Sequence, residues 1–116
     1  MKDAATQAGP SFPYEGAADL LPLIDAALRR VVDPEVAMNI VDVGLVYGVR
    51  VQDGDVNVNL TMTSPACPVA DVIVEDVESE LDKALPPGLR IRVRVVWEPP
   101  WSPDRMSASA RQFMGW

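Results

Sequence analysis

The sequence predicts an α+β fold: a two-layer sandwich in which a three-stranded mixed sheet carries helices on one face, in the order helix-strand-strand-helix-strand, followed by a structured C-terminal tail. Three observations lead there. Residues 56–63 and 89–95 alternate apolar and polar side chains with a period of two, which gives a sheet one apolar and one polar face. Residues 20–31 and 69–85 repeat apolar side chains at three- and four-residue steps, as a helix with one buried stripe requires. The whole chain has 116 residues, enough for one core and too few for a second catalytic domain.

Residues 1–16 mix small and polar residues with Gly9, Pro10 and Pro13 and show no period. They read as a flexible N-terminal arm with Phe12 and Tyr14 as its only anchors, ahead of a domain over 17–116. A helix is expected from Asp19, where Leu20, Ile24, Leu28 and Val31 share a face, Pro22 falls in the tolerated first turn, and Arg29 and Arg30 meet the negative end of the dipole. Asp33-Pro34-Glu35 ends it, because the residue before proline is pushed out of helical geometry. After a loop through Asn39 and Asp42, residues 44–51 read as a strand with Leu45, Tyr47, Val49 and Val51 on one face. Gln52-Asp53-Gly54-Asp55 turns the chain into a strand that points Val56, Val58, Leu60 and Met62 one way and Asn57, Asn59, Thr61 and Thr63 the other. A second helix follows, with the stripe Val69, Ile73, Val77, Leu81 and Leu85, and an acidic opposite side of Asp71, Glu75, Glu78 and Asp82. Pro86-Pro87-Gly88 breaks it, and Leu89, Ile91, Val93, Val95 and Trp97 alternate with Arg90, Arg92 and Arg94 in the third strand. The proline-rich stretch 98–103 cannot be regular structure, whereas 108–113 suits a short helix before Gly115.

Composition narrows the chemistry. Seventeen acids against ten bases give a net charge of -7, which repels a phosphate backbone over the surface as a whole and excludes general nucleic-acid binding. No apolar run approaches the roughly 20 residues that cross a bilayer, so no membrane role is expected. The single cysteine, Cys67, excludes an internal disulfide, and no basic segment leads into an apolar one at the amino terminus, so a cytoplasmic location is expected. Histidine is absent, which removes Ser-His and Cys-His nucleophile pairs and His ligands for zinc or iron. Chemistry is left to Cys67 and the carboxylates, and no catalytic residue is assigned.

Each candidate has a functional and a structural reading. Cys67 precedes Pro68 at the expected start of the second helix, where free N–H groups would stabilise a thiolate as nucleophile or soft-metal ligand; a lone cysteine also serves as a small buried hydrophobe. Asp33 and Glu35 flank Pro34 at the unfavourable pole of the first helix, yet Asp before Pro also makes a simple Asx turn. Thr61 and Thr63 could orient a ligand or serve as β-formers on a wet face. The acidic helix face suits a basic partner or plain solvation. Arg90, Arg92 and Arg94 suit an anion, or keep the strand soluble. Trp97 and Trp101 bracket Glu98-Pro99-Pro100 and would cap a core or anchor a partner.

Taken together, Val32-Asp33-Pro34-Glu35, Asn39-Ile40-Val41-Asp42-Val43-Gly44-Leu45-Val46-Tyr47, Thr61-Met62-Thr63-Ser64-Pro65-Ala66-Cys67-Pro68 and Trp97-Glu98-Pro99-Pro100-Trp101 resemble one family in order and spacing. It is the metal-sulfur (iron-sulfur) cluster assembly factor family, which includes SufT-like and PaaD-like proteins. The resemblance covers about residues 17–116 and implies the broad α+β class of the C-terminal domain of NifU-type proteins. It implies assistance in maturing iron-sulfur proteins rather than turnover of a metabolite. Its motif positions fall on Asp33, Glu35, Thr63, Ser64 and Cys67, with Cys67 as a transient cluster ligand. The departures are Val43, where leucine is commoner, and Ser64, where a second threonine is frequent. The implied partners are the iron-sulfur assembly machinery and client apoproteins, and the implied cargo is a transient iron-sulfur cluster, with no tightly bound cofactor.

Clusters are usually held by four cysteines and this chain has one, so a homodimer would supply two and other thiols or carboxylates the rest. Three alternatives stand beside cluster transfer. One is an adaptor that recruits clients through Trp97, Pro99, Pro100 and Trp101. Another is a PaaD-like subunit for phenylacetyl-CoA oxygenase maturation, disfavoured because the chain ends at Trp116 without the cysteine-rich segment of such proteins. The third is a cysteine hydrolase or transferase with Asp33 or Glu35 as base, weakened by the lack of histidine.

Overall fold

The computed structural model describes residues 12–63 and 70–115. The chain enters through β1 (Tyr14–Glu15) and then forms α1 (Leu21–Leu28), whose Pro22 occupies the first turn, where its missing N–H costs nothing. The helix closes before Val31, yet Val31 is buried with Ile24 and Leu28, so the apolar repeat outlasts the helix that it predicted. A hairpin of β2 (Val32–Asp33) and β3 (Met38–Asn39) follows, with Val32 opposite Asn39 and Asp33 opposite Met38. Asn39 then caps the single turn α2 (Ile40–Val43), its Oδ1 accepting the Asp42 N–H at 2.9 Å. This hairpin and turn stand where the sequence suggests only a loop, because elements this short span about one period and no repeat can register.

The antiparallel pair β4 (Val46–Gln52) and β5 (Asp55–Leu60) leads into α3 (Ala70–Ala84), which returns the chain to β6 (Arg90–Val95), parallel to β5. A 3-10 turn at Pro103–Arg105 and the helix α4 (Ala108–Met114) complete the fold; Ser107 Oγ caps α4 by accepting the Ala110 N–H at 3.1 Å. Among the described residues no helix is long and apolar enough to cross a membrane.

The sheet has four strands in the order β1-β4-β5-β6, one more than the sequence predicts. The extra strand pairs Tyr14 with Val49 and Glu15 with Arg50 in parallel, and Phe12 beside it is buried. It comes from the end of the segment read as an arm; residues 1–11 of that segment lie outside the described residues. The mixed character of the sheet and its helical layer agree with the expectation. α1 and α3 pack together over the face carrying Val56, Val58 and Leu60, with Ile24, Leu28, Ile73, Val77 and Leu81 completing the core.

Three placements within the strands differ from simple alternation. A bulge between Val46 and Gly48 lets Val46 and Val49 both face the core, so Tyr47 leaves the row in which the sequence puts it and sits half-buried. Thr61, expected on the polar face, is 1% exposed. Trp97, expected on the apolar face of the last strand, lies beyond the end of β6 and is 45% exposed.

The tail folds back onto α2 and the start of β4. Trp101 Nε1–H donates to the Val43 carbonyl at 2.8 Å, and Tyr47 Oη–H donates to the Pro99 carbonyl at 2.8 Å. The Arg105 guanidinium lies 4.5 Å from the centre of the Tyr47 ring, a cation–π contact. Gly44 at φ 88° permits this closure, since a Cβ there would collide with the Arg105 backbone.

Candidate functional site

A cluster of polar groups that joins sequence-distant segments forms where the β2–β3 turn meets the end of β5. Pro34 keeps Asp33 extended, and Asp33 folds the turn around itself: its Oδ1 accepts the Glu35 N–H at 2.8 Å and its carbonyl accepts the Ala37 N–H at 2.8 Å. The Asx turn proposed as the structural reading of Asp33 is therefore present. The turn holds Ala37 at φ 60°, a left-handed conformation that a non-glycine residue adopts only at a cost.

Asp33 is 1% exposed, far more buried than a turn requires. Burial pushes its carboxyl above the usual carboxylate range, and the nearby Glu35 charge pushes the same way. Hydrogen bonding from the Glu35 and Val36 N–H groups opposes the rise without cancelling it. Glu35 is exposed and reaches back across the sheet end, where its Oε1 accepts the Thr63 hydroxyl at 3.2 Å. Asp33, Glu35 and Thr63 are thus joined, although Thr63 follows Glu35 by 28 residues. Ser64 and Cys67 lie outside the described residues, as does Val69 of the expected helical stripe. Among the described residues no three His, Cys, Asp or Glu side chains are grouped closely enough to hold a metal ion.

One polar group beside this cluster, Thr61, is a sequence candidate whose burial the sequence does not foresee. Thr61 Oγ1 is buried and has no hydrogen-bond partner among the described residues, while the Thr61 N–H donates to the Leu45 carbonyl at 2.8 Å. Leu60, Thr61 and Met62 are buried in succession, so alternation stops at the strand end and the threonine turns inward. No local pattern announces that.

The two tail tryptophans differ in environment. Trp101 is half-buried and tied to Val43, whereas Trp97, Pro99 and Pro100 are exposed. Of the aromatic pair offered as a partner site, only Trp97 presents its ring to solvent to any large extent.

The iron-sulfur cluster assembly protein family matches residues 23–95, a span that includes Asp33, Glu35, Thr63, Ser64 and Cys67 and stops short of the Trp97 to Trp101 tail. The chain is 43% identical over 93 residues to the Fe-S protein maturation auxiliary factor YitW of Bacillus subtilis, covering 79% of this chain and 90% of that one. It is 41% identical over 86 residues to the Fe-S protein maturation auxiliary factor SufT of Staphylococcus aureus, covering 73% and 97%. The solved structure of a domain of unknown function from Bacillus anthracis matches with a TM-score of 0.75 at 43% identity, over 81% of this chain and 89% of that one.

Proposed function

The chain belongs to the iron-sulfur cluster assembly protein family, and from that premise we propose that it is an auxiliary factor in iron-sulfur protein maturation that assists cluster transfer to client apoproteins through the Cys67 thiolate. The observation that carries the reading is the junction of Asp33, Glu35 and Thr63 at the end of β5, from which the chain runs directly into Ser64 and Cys67. The cluster is cargo. One thiolate holds it weakly, so the remaining ligands come from a second protomer, a small thiol or the client, and transfer is favoured over storage. In this reading Asp33, whose proton affinity is raised by burial, serves as a proton-exchanging group, and Glu35 and Thr63 fix the turn that holds it. The role is non-catalytic, the partners are the cytoplasmic assembly machinery and its clients, and a homodimer is one way to complete the ligand set.

The exposed Trp97 favours one second reading, an adaptor that recruits clients through the tail. Complementation separates the two. In a deletion strain under high iron-sulfur demand, Cys67→Ser is expected to leave iron-sulfur enzymes inactive at normal polypeptide levels, while Trp97→Ala restores them. Full restoration by Cys67→Ser would overturn thiol-dependent transfer, and failure of Trp97→Ala alone would establish the adaptor.

A further inference from the structure

Among the described residues the helices cover one side of the sheet and leave the other bare. Across that bare side the register sets Arg50, Asn57 and Arg92 abreast, and Gly48, Asn59 and Arg94 abreast in the next polar row. Together they line an open cleft of about 820 Å³. Its charge is opposite to that of the molecule. Arg50, Arg90, Arg92 and Arg94 share this face with two acids, Glu15 and Asp55, in a chain of seventeen acids and ten bases.

The acids neutralise only part of it. Asp55 is committed to Arg90 at 2.6 Å and lies 3.7 Å from Arg92, while Arg94 forms no ion pair among the described residues. Glu15 pairs with Arg50 at 2.9 Å, but both side chains are largely exposed, so this contact is weak and exchangeable. Asn57 and Asn59 carry no side-chain hydrogen bond among the described residues, which leaves amide donors and acceptors free in the middle of the face.

We propose that this face is a docking surface for an extended, acidic segment of a partner protein. The arginines of β6 recur at every second residue, a spacing of roughly 6.6 Å, and carboxylates at alternate positions of an extended peptide repeat at the same distance. The Asn57 and Asn59 amides meet the peptide's own backbone groups, and Gly48, with only the Pro13 carbonyl within 4 Å of a Cβ built on it, keeps the floor low enough for close approach. A nucleic acid has the charge but not the fit: the two polar rows carry no aromatic ring for base stacking, Tyr14 at the cleft edge packs against the core with its hydroxyl bonded to the Ala17 carbonyl, and the acidic remainder of the molecule repels a long polyanion. The surface is independent of the thiol chemistry proposed above.

The test is fluorescence anisotropy at low salt with the full chain. The probe is a labelled peptide of alternating glutamate and threonine, about ten residues long and able to cross the face when extended. A glutamine-threonine peptide and an oligothymidylate serve as comparisons. The acidic peptide is expected to bind, to shift the amide resonances of Asn57 and Asn59, and to be released by salt as Debye screening shortens. Arg92→Glu with Arg94→Glu should weaken it about tenfold, since two exposed attractions become two repulsions, and the glutamine pair at the same positions should weaken it less. Thermal melts of both variants check that they fold. Equal binding of the glutamine peptide, preference for the oligonucleotide, or indifference to charge reversal would overturn the proposal. So would self-association abolished by the reversal, which would make the acidic α3 of a second copy the occupant.

Discussion

Asp33 and Thr61 are the two polar side chains that the fold buries among the described residues, and they carry opposite consequences. Asp33 has partners and a raised pKa, so the folded chain binds its proton more tightly than the unfolded chain does. Its contribution is therefore fully present below about pH 4 and is lost as pH rises through the folded pKa. Asp33→Asn keeps an oxygen to accept the Glu35 N–H and removes the charge. Urea midpoints should show the variant more stable than wild type at neutral pH and the two converging in acid; a difference independent of pH would contradict the burial argument. Thr61 has no such compensation. Thr61→Val replaces an orphaned hydroxyl by a methyl of similar shape and should stabilise the chain by about 1 kcal/mol in the same assay. A loss of that size would mean that the hydroxyl has a partner in solution.

Among the elements, the long ones were legible and the short ones were not. α3 shows its stripe over four turns, with Ile73, Val77, Leu81 and Leu85 buried, and β5 and β6 alternate as their sequences require. β1, β2, β3 and α2 span four residues at most, too few for a period to register, and they form because long-range partners hold them. The tail belongs to the same class. Its indoles differ in environment, which emission should report in a Trp116→Phe background: with Trp97→Phe added, the remaining Trp101 should emit to the blue and resist quenching. With Trp101→Phe added instead, Trp97 should emit near the solvated limit. Identical spectra would mean that the Trp101 bond to Val43 does not hold the tail.

At the scale of the molecule, stability rests on β5. It alone is paired along its whole length on both sides, with β4 and with β6, and it sends Val56, Val58 and Leu60 into the core under α1 and α3. Its amides should exchange slowest, those of β1 fastest within the sheet, and Leu60→Ala should cost roughly 2–5 kcal/mol in chemical denaturation. Comparable exchange in β1 and β5 would contradict this hierarchy. The sequence by itself determined the α+β class, the two-faced central strands, the principal helices and the family, because each of these is written in contiguous residues whose period or motif is complete within one segment. It also placed Asp33, Glu35 and Thr63 on the candidate list. Only the tertiary structure decided that Glu35 and Thr63 touch, that Asp33 and Thr61 are buried, that Tyr14–Glu15 adds a fourth strand and that the described residues leave the arginine face uncovered. Each of these depends on which distant segments meet, and no local pattern of side chains encodes a meeting between residues that lie tens of positions apart.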